Sequence, residues 1–220
     1  MLRNVDESAN RLRQPIRKSL TDLAHEGVAI FFAPLVKVLQ RLNISPNAIT
    51  VLGFGLSLVA GAFLALGYWR VAIAAIVISG MLDGVDGLLA RQTNQTTPFG
   101  AFLDSVLDRW SDSAFFLGLL IWYSQAGMSQ QSVLAGAALA SSLLVSYTRA
   151  RAEGIGAKCS RGLFTRLERF IALVAGLVLK QMTVALWAIA VLSTLTALQR
   201  IYYTWKHVKT VGSADGGGGF

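Results

Sequence analysis

Four aspartates fall within 26 residues of an otherwise apolar chain. Residues 83–108 read DGVDGLLARQTNQTTPFGAFLDSVLD, with Asp83 and Asp86 three apart and Asp104 and Asp108 four apart. On helices each pair shares a face. The polar stretch Gln92 to Thr97 separates the pairs and suits the turn of an antiparallel hairpin. Asp83 lies eight residues before Arg91 and Asp108 eight after Gly100. Asp86 lies five before Arg91 and Asp104 four after Gly100. The deeper pair therefore sits about 12 Å in at 1.5 Å per residue, and the four carboxylates can face one another across two packed helices. One carboxylate in a span costs about 2.5–3.5 kcal/mol on the insertion scale, and four together repel. Bound cations relieve both penalties. Oxygen-only ligands favour Mg²⁺ or Mn²⁺, four negative charges balance two divalent ions, and two such ions form a clamp for phosphoryl transfer. The competing reading is a buried polar network or water-filled cavity without catalysis. Asp112, one turn beyond Asp108, can pair with Arg109 three residues earlier.

The neighbours of the aspartates suit an anionic substrate. Gly80, Gly84 and Gly87 line one side of the first helix, either for close helix packing or to let a nucleotide approach the backbone. Gly87 sits between the aspartate level and the loop, where a diphosphate would lie. Arg91 can hold a phosphate through paired donors, or snorkel to the interface.

These residues must be positioned by membrane helices. Apolar residues make up 54% of the 220-residue chain and charged residues 15%, where about 25% charged is usual for a soluble domain. The net charge of +8 fits an anionic membrane. A nucleic-acid partner is not expected, because it needs an exposed basic face rather than several long apolar helices. Six spans of near the 20 residues a bilayer requires are expected at 46–67, 70–91, 99–123, 130–150, 163–180 and 182–205. Aromatic pairs Tyr68-Trp69, Trp122-Tyr123 and Tyr202-Tyr203 stand at span ends, as interface belts do. The fold class is thus all-α, a polytopic membrane bundle of six transmembrane helices preceded by an amphipathic juxtamembrane helix. That surface helix is read from Ile16, Leu20, Leu23 and Ile30 at helical spacing, with a kink or break at Pro34. The domain division is 1–44 for the N-terminal segment, 45–207 for the bundle and 208–220 for a flexible tail.

Basic residues orient the bundle. One set of loops carries only Arg70 and Lys180, and the other holds Arg3 through Arg41, Arg149 through Arg169, Lys206 and Lys209. The positive-inside rule then puts both termini and the aspartate loop in the cytoplasm, with the plasma membrane as the expected location. No secretory signal is visible, because the first long apolar run starts too late. The single cysteine, Cys159, between basic residues, reads as a free thiol in a solvated loop.

Asp83, Asp86, Gly87, Ala90, Arg91, Gly100, Asp104 and Asp108 match at all eight positions the pattern D-x-x-D-G-x-x-A-R-x8-G-x-x-x-D-x-x-x-D. In this the chain resembles the CDP-alcohol phosphatidyltransferase family, and the six-span layout extends the resemblance over nearly its whole length. The resemblance implies a homodimer in which the four aspartates hold two metal ions. Asp108 then also acts as general base on the acceptor hydroxyl, the alkoxide attacks the phosphorus bearing the diacylglycerol, and CMP leaves. It assigns Gly87, Arg91, Thr97 and Gly100 to the CDP-lipid, together with Pro46, Asn47, Ala48 and Ile49 at the lip of the first span.

Residues 146–169, SYTRARAEGIGAKCSRGLFTRLER, resemble the branch that makes phosphatidylinositol phosphate or its archaeal ether-lipid counterpart. The donor is then CDP-diacylglycerol or a CDP-ether lipid, and the acceptor inositol 1-phosphate. By that resemblance Ser146, Arg149, Arg151, Arg166, Arg169 and Arg200 form the acceptor phosphate pocket, since a dianion is best held by several guanidinium groups. The competing role for these arginines is topology alone. No correspondence is evident at Phe164-Thr165. Glycerol 3-phosphate or serine as acceptor is the nearest alternative. A membrane prenyltransferase would need a second aspartate-rich motif, and a cation transporter would need acids along a through-path, yet spans four to six carry none at their centres.

Overall fold

The computed structural model describes residues 32–157 and 162–214. The predicted surface helix over Ile16–Ile30, and Cys159 with its basic neighbours, lie outside the described residues. The description begins in a helix, α1, over residues 32–41. Pro34 lies in the first turn described, and the helix it was expected to kink or break lies outside the described residues. The α1 end closes on Asn43 at φ 51°, with Ile44 N–H donating to the Leu39 carbonyl at 3.1 Å. α1 belongs to a separate compact unit from the chain beyond Ser45.

The described residues of the second unit form six helices: α2 Pro46–Ala65, α3 Trp69–Gln92, α4 Pro98–Gln125, α5 Ser129–Gly154, α6 Arg166–Val178 and α7 Met182–Ala214. Among the described residues there is no strand. The helix α7 runs on to Ala214, so residues 208–214, expected in a flexible tail, are helical. The turns between helices share one chemistry. Gly67, Asn94, Gly127, Gly156 and Lys180 each have positive φ. The residue after each donates to a carbonyl five residues back, as from Tyr68 to Phe63 and from Gln181 to Gly176, each 2.9 Å, the closing bond of a Schellman turn. Glycine takes this backbone freely. Lys180, at φ 56°, carries a penalty of roughly 1 kcal/mol for the same conformation.

Among the described residues four helices are long and apolar enough to cross a membrane: α2, α3, α5 and residues Met182–Lys209 of α7, with mean hydropathy 2.1, 1.8, 1.3 and 1.7. Large apolar side chains on them stay exposed, Leu52, Val133 and Leu198 among them, which in a chain of this composition fits a lipid-facing surface. The protein is accordingly a multi-pass membrane protein. The other two helices fall short for different reasons. α4 carries Asp104, Asp108, Arg109 and Asp112 within its length, and α6 has only 13 residues.

α2 packs on α3 and α4, α5 on α4 and α7, and α6 on α7 and more lightly on α3. The α2–α4 contact is backbone to backbone. A Cβ on Gly118 would lie 2.2 Å from the Gly61 carbonyl oxygen, and one on Gly61 would lie 2.5 Å from that of Ala114. Small residues here bring the helices together as tightly as a chain allows. Leu64, Ile76, Leu119, Leu186 and Ile189, all fully buried, form the central core.

Candidate functional site

The site begins with two helix starts of the same design. Ser45 caps α2 and Thr97 caps α4, each followed by proline at the first helical position. Proline loses no hydrogen bond there. The Ser45 hydroxyl accepts from Ala48 N–H at 3.3 Å, and that of Thr97 from Gly100 N–H at 3.0 Å. The C-terminal turn of α3 comes in beside them. Together they enclose a cavity of about 190 Å³ lined by Pro46, Asn47, Gly87, Arg91, Thr97 and Gly100, six of the eight residues read as CDP-lipid contacts. Ala48 is exposed and Ile49 is buried, and neither is in the lining. Thr50, Gln95 and Thr96 join the lining without having been anticipated.

The three sequence-predicted glycines of α3 divide. Gly80 serves packing, since a Cβ there would meet the Phe170 ring at 2.5 Å. Gly84 faces open space. Gly87 lies beneath the Arg91 guanidinium, 3.6 Å from where its Cβ would be, and so leaves room on the cavity wall.

Below this cavity the aspartates converge. Oxygens of Asp83, Asp104 and Asp108 all lie within 4.8 Å of one another. Asp86, 5% exposed, stands beside them and within reach of the charges of Asp104 and Asp83. The Thr50 hydroxyl on α2 donates to Asp86 Oδ2 at 2.5 Å, which fixes the carboxylate's rotamer from a second helix. The predicted level match holds for the deeper pair, but α3 and α4 do not pack directly on each other as expected; each packs on α2, and the carboxylates meet across the gap between them. One guanidinium nitrogen, Arg166 Nη1, reaches both Asp83 at 2.7 Å and Asp108 at 2.9 Å. A cation thus already stands between these carboxylates. The donors are all oxygen and negatively charged, and they come from two rigid helices. They fit a hard divalent cation such as Mg²⁺ or Mn²⁺.

Beyond Asp108 lies a second cavity of about 150 Å³, lined in part by Ser146, Arg149, Arg166, Arg169 and Arg200. Five of the six residues read as an acceptor phosphate pocket are therefore brought together. Arg151 is exposed and is not in the lining. On a helix, residues two apart point about 200° away from each other, so Arg149 and Arg151 cannot both face the same cavity. Arg200, 3% exposed, donates to the Val145 carbonyl at 2.6 Å. Arg169, 4% exposed, pairs with Asp112 at 3.0 Å. Asp112 thus takes its partner from α6, where local spacing offered Arg109. Arg109 donates instead to the Ser105 carbonyl.

Thr165, where no correspondence was evident, also lines this cavity. It caps α6, and its N–H donates to Glu168 Oε2 at 2.7 Å. The sequence T-R-L-E is a capping box, the signal by which the helix start could have been read. Phe164 before it is buried, and its N–H donates to Thr196 at 3.1 Å.

The site thus has two cavities that meet at one aspartate cluster, one bounded by helix N-termini and the other by arginines. Residues 43–199 match the family described as CDP-alcohol phosphatidyltransferase. The chain belongs to the CDP-alcohol phosphatidyltransferase family. Within it the chain is 34% identical over 196 residues to an archaetidylinositol phosphate synthase of Methanothermobacter thermautotrophicus, covering 84% of this chain and 98% of that one. It is 35% identical over 185 residues to a phosphatidylinositol phosphate synthase of Mycobacterium marinum, covering 78% of each. Among solved structures, this phosphatidyltransferase superposes on Mycobacterium tuberculosis phosphatidylinositol phosphate synthase with CDP-DAG bound. The TM-score is 0.72 and the identity 30%, over 78% of this chain and 92% of that one. The same enzyme in complex with manganese and citrate superposes with a TM-score of 0.73.

Proposed function

We propose that this phosphatidyltransferase transfers a phosphatidyl group from CDP-diacylglycerol, or an ether analogue, to inositol 1-phosphate, releasing CMP and giving phosphatidylinositol phosphate. The observation that carries the reading is the arginine-lined cavity against Asp108, on the other side of the aspartates from the cavity between the α2 and α4 N-termini. The named synthases among its relatives support the same acceptor. Asp83, Asp86, Asp104 and Asp108 hold the divalent ions. Mg²⁺ or Mn²⁺ bound there supplies neutralisation of the diphosphate and of the departing CMP. Pro46, Asn47, Ala48, Ile49, Gly87, Arg91, Thr97 and Gly100 serve the CDP-lipid. Helix N-termini favour its phosphates through unpaired N–H groups and the helix dipole.

Ser146, Arg149, Arg166, Arg169 and Arg200 take the phosphate of the acceptor. Arg151 guides it from the surface. Asp108 removes the proton from the acceptor hydroxyl, the oxygen attacks the lipid-bearing phosphorus, and the bond to CMP breaks.

The bundle of 45–207 crosses the membrane six times, with exposed apolar side chains such as Leu117 of α4 and Ile171 of α6 turned to lipid. An amphipathic helix precedes it, and the aspartate end and both termini face the cytoplasm of a plasma-membrane homodimer. The distribution of arginine and lysine supports that orientation. The test is CMP release by purified protein from CDP-diacylglycerol with inositol 1-phosphate, free inositol, glycerol 3-phosphate and serine. Inositol 1-phosphate is expected to be the best acceptor by at least tenfold. A preference for glycerol 3-phosphate would overturn the acceptor assignment and leave the CDP-lipid chemistry standing.

A further inference from the structure

At the end of the bundle opposite the aspartates, a cavity of about 930 Å³ opens among α3, α4, α5, α6 and α7. The cavity opens to the surface of the bundle, and its size is that of a ligand site rather than of a packing defect. One wall is aromatic and rigid. Trp69 meets Trp122 edge-on at 4.6 Å, and Trp122 meets Tyr123 at 4.9 Å. The turn at Gly67 presses on the same indole, since a Cβ there would lie 2.8 Å from Trp122 Nε1. Ile73, Leu177 and Val178 supply an aliphatic wall.

Among the described residues only two charged side chains line this cavity, Arg70 and Lys180, and no acid does. Both are exposed. Among the described residues neither has an ion-pair partner. The turns at this end, residues 66–70, 124–129 and 179–181, hold no other charge. Both of the charges at this end are therefore cations on one cavity, while the other basic residues gather at the aspartate end. Lys180 also occupies a left-handed turn position. Gly67 and Gly127 fill the corresponding positions at the same end, so the chain keeps a lysine where glycine would be free of strain.

We propose that this cavity binds one anionic phospholipid, its headgroup phosphate taken by Arg70 and Lys180 and an acyl chain lying along Ile73, Leu177 and Val178. A free anion would leave the apolar walls uncovered. The ammonium of a zwitterionic headgroup would meet two cations and no acid. The site is separate from the reaction centre, because the Phe170 ring seated on Gly80, with Ile76 and Leu173 fully or almost fully buried, closes the bundle between them.

The test is native mass spectrometry of delipidated protein offered phosphatidylglycerol or phosphatidylcholine at equal concentration. Wild-type protein is expected to hold one phosphatidylglycerol at least tenfold more tightly than phosphatidylcholine. Arg70→Gln with Lys180→Gln should remove that preference, while Arg70→Lys with Lys180→Arg keeps it. Both double variants should retain CMP release within about twofold. Millimolar inorganic phosphate should not displace the lipid. Equal retention of the two lipids by wild-type protein, an unchanged preference in the glutamine variant, or displacement by phosphate would each overturn the proposal.

Discussion

Arg169 is the residue whose loss best separates an acceptor pocket from a merely basic loop. Its side chain is 4% exposed, its Nη2 lies 3.0 Å from Asp112, and its Nε has no hydrogen-bond partner among the described residues. A buried guanidinium with a free donor, lining a cavity beside Asp108, is placed to receive a phosphate oxygen. Truncating one partner of a desolvated charge pair typically removes about 2–5 kcal/mol. At about 1.4 kcal/mol per tenfold, Arg169→Ala should lower kcat/KM for inositol 1-phosphate by about 30-fold to a few thousand-fold. Arg151, exposed and outside the cavity lining, is the internal control: Arg151→Ala should change the same constant by about threefold or less, the scale of a screened surface charge. The assay is CMP release with inositol 1-phosphate varied at saturating CDP-diacylglycerol, then with the lipid varied at saturating acceptor. The Arg169→Ala effect should fall on the acceptor and leave the KM for CDP-diacylglycerol nearly unchanged. Equal effects of the two substitutions, or an Arg169→Ala effect shared by both substrates, would refute the assignment of this cavity to the acceptor.

Asp108→Asn should abolish turnover in a protein that still elutes as a folded species in detergent. Chelation of divalent ions should stop the wild-type reaction and their return restore it, and near wild-type activity of the variant at saturating Mg²⁺ would remove Asp108 from the chemistry. Thr50→Val deletes the 2.5 Å bond to Asp86. By the usual effect of a group that orients a metal ligand, Mn²⁺ titration should show about 10–100-fold weaker activation. Gly118→Ala drives a Cβ to 2.2 Å from the Gly61 carbonyl oxygen and should lower stability by about 1–3 kcal/mol, read as a drop in thermal midpoint. Gly84→Ala, with nothing within 4 Å, should hold or raise that midpoint, since alanine is the better helix former. A cysteine at Gly127 should be labelled from outside the cell and one at Gln95 only after permeabilisation; the reverse would invert the proposed orientation.

The aspartates were legible in the sequence because their information is local. Spacings of three and four fix a helix face, and equal counts from one loop fix a level. The Arg166 bridge between Asp83 and Asp108 is the physical expression of that level match. What local spacing cannot supply is a partner from another helix. Asp112 has Arg109 within a turn, yet pairs with Arg169, 57 residues on. Thr50 gave no signal of its own, because its significance comes from Asp86 on the facing helix. The family resemblance pairs Arg151 with Arg149, and the 100° step of the helix separates them. α4 reads as a span from its apolar C-terminal half, while its first half is charged for the sake of the site and lowers its mean hydropathy.

The depth of the proposed acceptor cavity follows from the length of one helix. α3 and α6 run antiparallel and both reach the cavity at the far end of the bundle, through Trp69 and Val178. From that shared level α3 continues for 24 residues, about 36 Å, while α6 has 13, about 20 Å. The first residue of α6 therefore comes level with the middle of α3 and not with its end. Arg166 is twelve residues from Val178, and Asp83 is fourteen from Trp69, so the two meet. A longer α6 would carry its first-turn cations to the lip of the bundle and fill the space beside Asp108 with helix. The capping box at Thr165 and Glu168 stops it there, and buried Phe164, tied to Thr196 of α7, turns the chain away. Stopping α6 early puts Arg166 and Arg169 among the aspartates and leaves an opening above them. That one boundary gives the site both its positive wall and its way in.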